Sequence, residues 1–236
     1  NSFERSGKIE KAKKLYLKFA KDSNDTLLIS SEIDRLNKEL KAHSLIVESD
    51  WSSASYYYSI VALSEIGTEI TLSAYKESSL QGDSALVNIY KQFGVETTFL
   101  NNTITFKKNS KNTNAIKLDL NNSPDIAQTI AVTCLGLGIK CHLTGLHTLK
   151  IKETDRLLAL KNEIEKLGGK ISVTNDSLSL EESIFLKSDC EIATYNDHRM
   201  AMSFAPLALK TSLQIADPMV VSKSYPTFWD DLKSIG

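Results

Sequence analysis

A chain of 236 residues, 42% hydrophobic and 24% charged, has room for one large or two ordinary domains and excludes wholesale disorder or a collagen-like repeat. Its 28 basic and 29 acidic side chains leave a formal charge of -1, so neither nucleic acid nor a membrane surface is expected as a partner. No apolar run approaches the roughly 18 residues that cross a bilayer, and Asn1-Ser2-Phe3-Glu4-Arg5 is no signal peptide. A soluble, cytoplasmic protein is expected, and the missing initiator Met suggests a fragment.

Residues 1–44 differ from the rest, with ten Lys/Arg, seven Asp/Glu and no Pro. Ile9, Ala12, Leu15, Tyr16 and Phe19 form one amphipathic stripe; Leu27, Leu28, Ile33, Leu36 and Leu40 form a second, near Thr26 to Leu40. The spacing predicts a helical hairpin, which cannot bury its own face and must pack on something else. The remaining 192 residues hold 18 basic against 22 acidic side chains, a formal charge of -4.

From Ser44 onward the chain repeats itself. Polar segments open three apolar helices: Ser52-Ser53-Ala54-Ser55-Tyr56, Ser123-Pro124-Asp125-Ile126-Ala127 and Asn196-Asp197-His198-Arg199-Met200. Ser53, Asp125 and Asp197 are spaced by 72 and 72 residues. A strand follows each helix, as at Glu69-Ile70-Thr71-Leu72 and Lys140-Cys141-His142-Leu143. Second helices are expected from near Gln81, Lys152 and Ser224. The first two end at Gly94 and Gly168, where glycine accepts a left-handed cap, and Gly236 holds the third such place. Strand pairs follow, such as Glu96–Phe99 with Thr103–Phe106 turning at Asn101-Asn102. The first helices are apolar all round, as in Ile130-Ala131-Val132-Thr133-Cys134-Leu135, and such a helix is buried on every side. The expected fold is therefore α/β, three repeated βαβ-type units with helices inside and sheets outside.

Cys134, Cys141 and Cys190 make an odd set without a CxxC pair and read as reduced and mostly buried. His43, His142, His147 and His198 lack metal-ligand spacing, so neither metal nor other cofactor is expected.

The chemistry concentrates at helix starts. A helix from Lys152 would put Lys152 and Arg156 one turn apart on one face. Cations in a first turn oppose the helix dipole, and His198 and Arg199 repeat that arrangement in the third unit, with Lys223 before the last helix. A shared anionic ligand explains cations gathered at one end of a threefold domain, since guanidinium forks and backbone N–H groups bind phosphate and carboxylate. Ser123-Pro124-Asp125 is a strong helix start, with Ser as cap and Pro first. Glu153 stands beside two cations, which lower its pKa while the site is empty.

Taken together, Asp50-Trp51-Ser52-Ser53-Ala54-Ser55-Tyr56, Ser123-Pro124-Asp125, Lys152-Glu153-Thr154-Asp155-Arg156 and Asn196-Asp197-His198-Arg199-Met200-Ala201-Met202 resemble the 5-enolpyruvylshikimate-3-phosphate synthase family, in its order and approximate spacing. The resemblance covers residues 45–236, the extent of that family's C-terminal domain, and its fold of three repeated units with helices inside agrees with the repeat above. It implies a transferase of the shikimate pathway that moves the enolpyruvyl group of phosphoenolpyruvate to the 5-hydroxyl of shikimate 3-phosphate and releases phosphate. It also implies roles. Asp125 would hold the ring hydroxyls and act as base, Lys152 would assist there, and Glu153 would protonate the methylene carbon. Arg156 and Arg199 would clamp the carboxylate of phosphoenolpyruvate, Lys223 its phosphate, and His198 would support the cluster. The family's N-terminal domain is not visible, residues 1–44 do not resemble it, and Thr148, Ser49 and Trp51 depart from the family pattern. The chain would then hold half a site and be inactive alone. The alternative is a non-catalytic interaction scaffold built on a degenerate transferase domain.

Overall fold

The computed structural model describes residues 47–235, together with Lys11 and Asp34. The chain divides into two units, residues 1–47 and 48–236. Apart from those two positions, the hairpin expected within residues 1–44 lies outside the described residues, as does residue 236.

Helix α1 (Trp51–Leu63) begins where the Asp50 carboxylate accepts the Ser52 N–H at 3.0 Å. Every residue in it except Ser53 is buried, so its hydroxyls need partners inside the protein. Ser55 finds Thr129 at 3.0 Å, Ser59 lies 2.8 Å from Thr133, and Tyr58 lies 2.7 Å from Thr97. Strand β1 (Glu69–Ser73) follows, then a 3-10 turn over Gly82–Ala85, α2 (Leu86–Lys91), β2 (Val95–Leu100) and β3 (Thr103–Lys108). These strands form an antiparallel sheet in the order β1-β3-β2. The β2–β3 turn has φ 49° at Asn101 and 58° at Asn102, left-handed positions that Asn tolerates in a two-residue hairpin.

The second unit runs β4 (Ile116–Asp119), a 3-10 turn over Pro124–Ile126, α3 (Ala127–Leu137), β5 (Cys141–Thr144), α4 (Arg156–Lys166), β6 (Ile171–Val173) and β7 (Leu178–Leu180). Its sheet order is β4-β5-β7-β6, with β4 and β5 parallel across α3. The third has β8 (Cys190–Ile192), α5 (His198–Phe204), β9 (Leu213–Ile215) and α6 (Phe228–Ser234), with β8 and β9 parallel. Helices α1, α3 and α5 are almost wholly buried, while β1 alternates between exposed and half-buried positions. Helices inside and sheets outside is the observed arrangement. A Cβ on Gly136 would lie 2.7 Å from both Leu63 and Leu207, so this glycine lets α3 approach its neighbours closely.

The leading strand expected for the first unit falls before α1, where residues 35–46 lie outside the described ones. Three helix starts need correction. Helix α4 starts at Arg156, because Asp155 caps it by accepting the Leu158 N–H at 3.1 Å, and Lys152 ends a 3-10 turn over His147–Ile151. Helix α6 starts at Phe228, not Ser224; Pro226 biases Tyr225 away from helical backbone and delays the start. Helix α2 is likewise preceded by a 3-10 turn from Gly82. Gly94 and Gly168 do take the left-handed conformation, with φ 79° and 92°. Cys134 and Cys141 are buried and Cys190 half-buried, all three as free thiols. No helix among the described residues is long and apolar enough to cross a membrane.

Candidate active site

The repeat brings the starts of α1, α3, α4 and α5 to one end of the domain, and three of those starts are built on aspartates. Asp50 caps α1 and Asp155 caps α4, while Asp197 caps α5 by accepting the Arg199 N–H at 2.8 Å. Asp125 is different. It lies in the 3-10 turn that leads into α3, and no side chain caps that turn, Ser123 included. The expected Ser123 cap is therefore absent, and the Asp125 carboxylate is turned to cations.

Arg156 is the centre of the cluster, with a side chain only 2% exposed. Its Nε donates to Asp197 Oδ2 at 2.6 Å, its Nη1 to Asp125 Oδ1 at 3.0 Å and its Nη2 to Glu153 Oε2 at 2.5 Å. Arg199 reaches the same Asp125 from α5, Nη2 to Oδ2 at 3.4 Å, and Lys152 Nζ lies 3.3 Å from Asp125 Oδ1. Residues from two repeats thus converge on one carboxylate. Lys223 Nζ donates to the Asn196 carbonyl at 2.9 Å, on the backbone next to Asp197. His198 Nδ1 is buried without a hydrogen bond, 3.9 Å from Glu153 Oε1 and 4.0 Å from Asp197 Oδ1.

The fields follow from this geometry. Burial pushes the Asp125 carboxyl up, but Arg199, Arg156 and Lys152 more than reverse it, and Asp125 stays below the usual carboxylate range. Glu153 behaves likewise: burial raises it, and a backbone N–H, Arg156, His198 and Arg199 together hold it low. Burial and the Arg199 charge keep His198 below its ordinary value against the pull of Asp197 and Glu153, which favours the neutral ring. Burial works against the Arg199 charge, yet Tyr56, Asp125, Asp50 and Asp83 raise its pKa further.

The expected site residues Asp125, Lys152, Glu153, Arg156, Arg199 and His198 come together, with Lys223 at the edge on Asn196. The gathered cations are matched by acids, since Arg156 alone faces three carboxylates. Asp197, which the 72-residue spacing marks as a helix entry without giving it a role in the site, is fully buried and bonded to Arg156; an acid directly before His198 and Arg199 is the available signal. Asp83 was not anticipated. It accepts the Ser52 hydroxyl, and burial outweighs that bond and the Arg199 charge to raise its pKa. Glu153, Asp197 and His198 also bring one potential metal-ligand atom each within 4.8 Å of one another. Arg156 already bonds both carboxylates, so a metal ion would compete with a guanidinium there.

The family described as EPSP synthase (3-phosphoshikimate 1-carboxyvinyltransferase) matches residues 29–232. Among curated relatives, the 3-phosphoshikimate 1-carboxyvinyltransferase of Bacteroides fragilis is 47% identical over 193 residues, 80% of this chain and 47% of the relative. That of Pasteurella multocida is 35% identical over 190 residues, covering 80% and 42%. An EPSP synthase structure from Acinetobacter baumannii shares the fold, with a TM-score of 0.69 at 24% identity over 80% of this chain and 46% of that one. The chain spans about half the length of the curated relatives it matches. With a family match across most of its length and the fold to accompany it, this chain belongs to the EPSP synthase family.

Proposed function

We propose that residues 45–236 are the C-terminal half of a cytoplasmic enzyme that transfers the enolpyruvyl group of phosphoenolpyruvate to the 5-hydroxyl of shikimate 3-phosphate, with an N-terminal domain supplying the other half of the site. The observation that carries this reading is the convergence of Lys152, Arg156 and Arg199 on the start of α3 at Asp125. Arg156 and Arg199 already bind ionised carboxylates, and the same guanidinium forks would take a substrate carboxylate beside Asp125.

The reaction is an addition followed by an elimination. The 5-hydroxyl oxygen attacks C2 of phosphoenolpyruvate while C3 takes a proton; phosphate then leaves as the new methyl group gives a proton back. In this reading Asp125 holds the ring hydroxyls and accepts the hydroxyl proton, with Lys152 beside it. Glu153 delivers the proton to C3. Arg156 and Arg199 hold the carboxylate, Lys223 the phosphate, and neutral His198 packs against Glu153. The arginines, with Lys152 at Asp125 and a backbone N–H at Glu153, hold both groups as carboxylates. A substrate carboxylate that takes over part of those contacts would raise both pKa values and make each group a better proton carrier.

Charge balance explains why the half site needs its complement. Lys152, Arg156 and Arg199 are already matched by Asp125, Glu153 and Asp197. Two polyanionic substrates therefore require further cations beyond Lys223. The chain alone is expected to release no phosphate from the substrate pair. Calorimetry with phosphoenolpyruvate and shikimate 3-phosphate, with and without a supplied N-terminal domain, tests this. Heat and phosphate release only in the reconstituted pair support the proposal. Turnover by the chain alone defeats the half-site claim, and silence in both conditions favours a non-catalytic scaffold.

A further inference from the structure

Two consecutive non-glycine residues directly before Asp197 sit in the left-handed region, Tyr195 with φ 55° and Asn196 with φ 56°. Asn tolerates left-handed backbone but a bulky residue such as Tyr195 rarely adopts it, and such a turn persists only where its surroundings over-determine it. The surroundings here centre on Glu163, a fully buried carboxylate to which the proposed reaction gives no part.

Glu163 lies in α4, seven residues and about two turns after Arg156. Its Oε1 accepts the Tyr195 hydroxyl at 2.7 Å, and its Oε2 accepts the Ala193 N–H at 3.1 Å and Lys166 Nζ at 2.7 Å. Helix α4 therefore grips the third unit twice. Glu163 holds Ala193 before the left-handed pair and Tyr195 as its first member, and Arg156 holds Asp197 just after it. Lys223 fixes the Asn196 carbonyl between the two grips. Loosening the Glu163 grip would let Tyr195 and Asn196 relax toward ordinary backbone. That movement would carry Asp197 away from Arg156 and turn the start of α5, and with it Arg199.

We infer that Glu163 is a positioning residue: through Tyr195 and Ala193 it holds the strained turn that sets Arg199 and the Arg156–Asp197 pair in register for an incoming carboxylate. This inference rests on the proposed reading of the cluster as a phosphoenolpyruvate site. It assigns Glu163 to the carboxylate subsite and not to the hydroxyl subsite at Asp125 and Lys152.

The test compares Glu163→Ala, Glu163→Gln and Tyr195→Phe, each reconstituted with the N-terminal domain. Calorimetry gives the Kd for phosphoenolpyruvate and for shikimate 3-phosphate, and hydrogen exchange is followed over residues 193–199. Tyr195→Phe removes one hydroxyl and leaves Glu163 in place, so it remains informative should Glu163→Ala fail to fold. The loss of a hydrogen bond to a charged group is expected to weaken phosphoenolpyruvate about tenfold, to speed exchange in residues 193–199 and to leave the shikimate 3-phosphate Kd within about twofold. Glu163→Gln can still accept from Ala193 and donate to the Tyr195 oxygen, so it should stay within about threefold of the wild type for both ligands. Faster exchange with an unchanged phosphoenolpyruvate Kd would make Glu163 merely structural and overturn the inference, as would equal weakening of both ligands. If the wild type itself binds neither substrate, the reading of the site fails and this inference falls with it. If the wild type binds and the variants bind equally well, the inference alone falls.

Discussion

Two cations are deeply buried at separate places in the fold, and they are held in opposite ways. Arg156, at the start of α4, faces Asp197, Asp125 and Glu153. Lys108, at the end of β3, is 2% exposed and donates to two neutral carbonyls, Ala62 at 2.8 Å and Phe93 at 2.7 Å. The first lies in the last turn of α1 and the second just beyond α2, where helix carbonyls lack backbone partners and carry partial negative charge. Lys108 thus closes two helix ends with groups that cannot leave. Around Arg156 the partners are acids, two of them partly open to solvent, and an incoming carboxylate can replace an acid on a guanidinium at little cost in charge. The contrast teaches that a buried cation marks an exchangeable site when its partners are themselves ionised and reachable. It marks a structural tie when its partners are backbone.

Removing Arg156 tests the distinction between the two cations most severely. Arg156→Met would leave Asp197 buried as an unpaired charge and is expected to cost about 3–5 kcal/mol of stability. Denaturant unfolding measures it. Adding Asp197→Asn should recover a large part of that loss, because the stranded charge is then gone. A loss below about 1 kcal/mol would place the pair among surface-like ion pairs and end the comparison.

Lys108 gives a pH signature of its own. Burial, aided by repulsion from Lys210 and Lys111, holds its ammonium down at about 8, against about 10.4 in an unfolded chain. Between these two values the unfolded state binds the extra proton and the folded state does not, so stability must rise with pH across that window. It is fully present above the unfolded value, declines as pH falls toward 8, and is level below that. The total change is about 3 kcal/mol. Lys108→Met should lose this slope, whatever its effect at neutral pH. Urea midpoints for both proteins at pH 7.5, 9 and 10.5 decide the matter, and parallel curves would refute the assignment.

The difference between the two cations could not be read in advance, for a physical reason. The inner helices α1, α3 and α5 were legible because an apolar run with no polar face has only one stable place. The hairpin at Asn101-Asn102 and the left-handed ends at Gly94 and Gly168 were legible because backbone conformation there is a local matter. The assembly of Asp125, Glu153 and Arg156 was anticipated as a gathering of charged groups, but the pairing was not. Arg156 meets Asp197 across 41 residues, Tyr195 meets Glu163 across 32, and Lys108 meets Ala62 across 46. Partners that distant are chosen by tertiary packing, and composition carries no record of the choice. Even the start of α4 was misplaced by four residues, because the cap at Asp155 decides it and the charges at Lys152 and Arg156 do not.

Lys107, the residue next to Lys108, separates charge from burial within one strand. Successive side chains on a strand point to opposite faces, so Lys107 stands in solvent while Lys108 is inside. Lys107 Nζ lies 3.3 Å from Glu69 Oε2, both side chains about half exposed, and the two residues are direct cross-strand partners. By formal charge and sequence position the two lysines are near twins. In water, however, the exposed pair gains little Coulomb energy, must order two long side chains and is screened by salt. Lys107→Ala should therefore cost no more than about 1 kcal/mol, and less in 0.5 M salt. Lys108→Met should instead show an effect that salt hardly moves, because its partners are buried dipoles. Measuring both variants at low and high salt separates charge from burial within one strand. If Lys107→Ala proved the costlier change, burial would no longer explain why either cation is where it is.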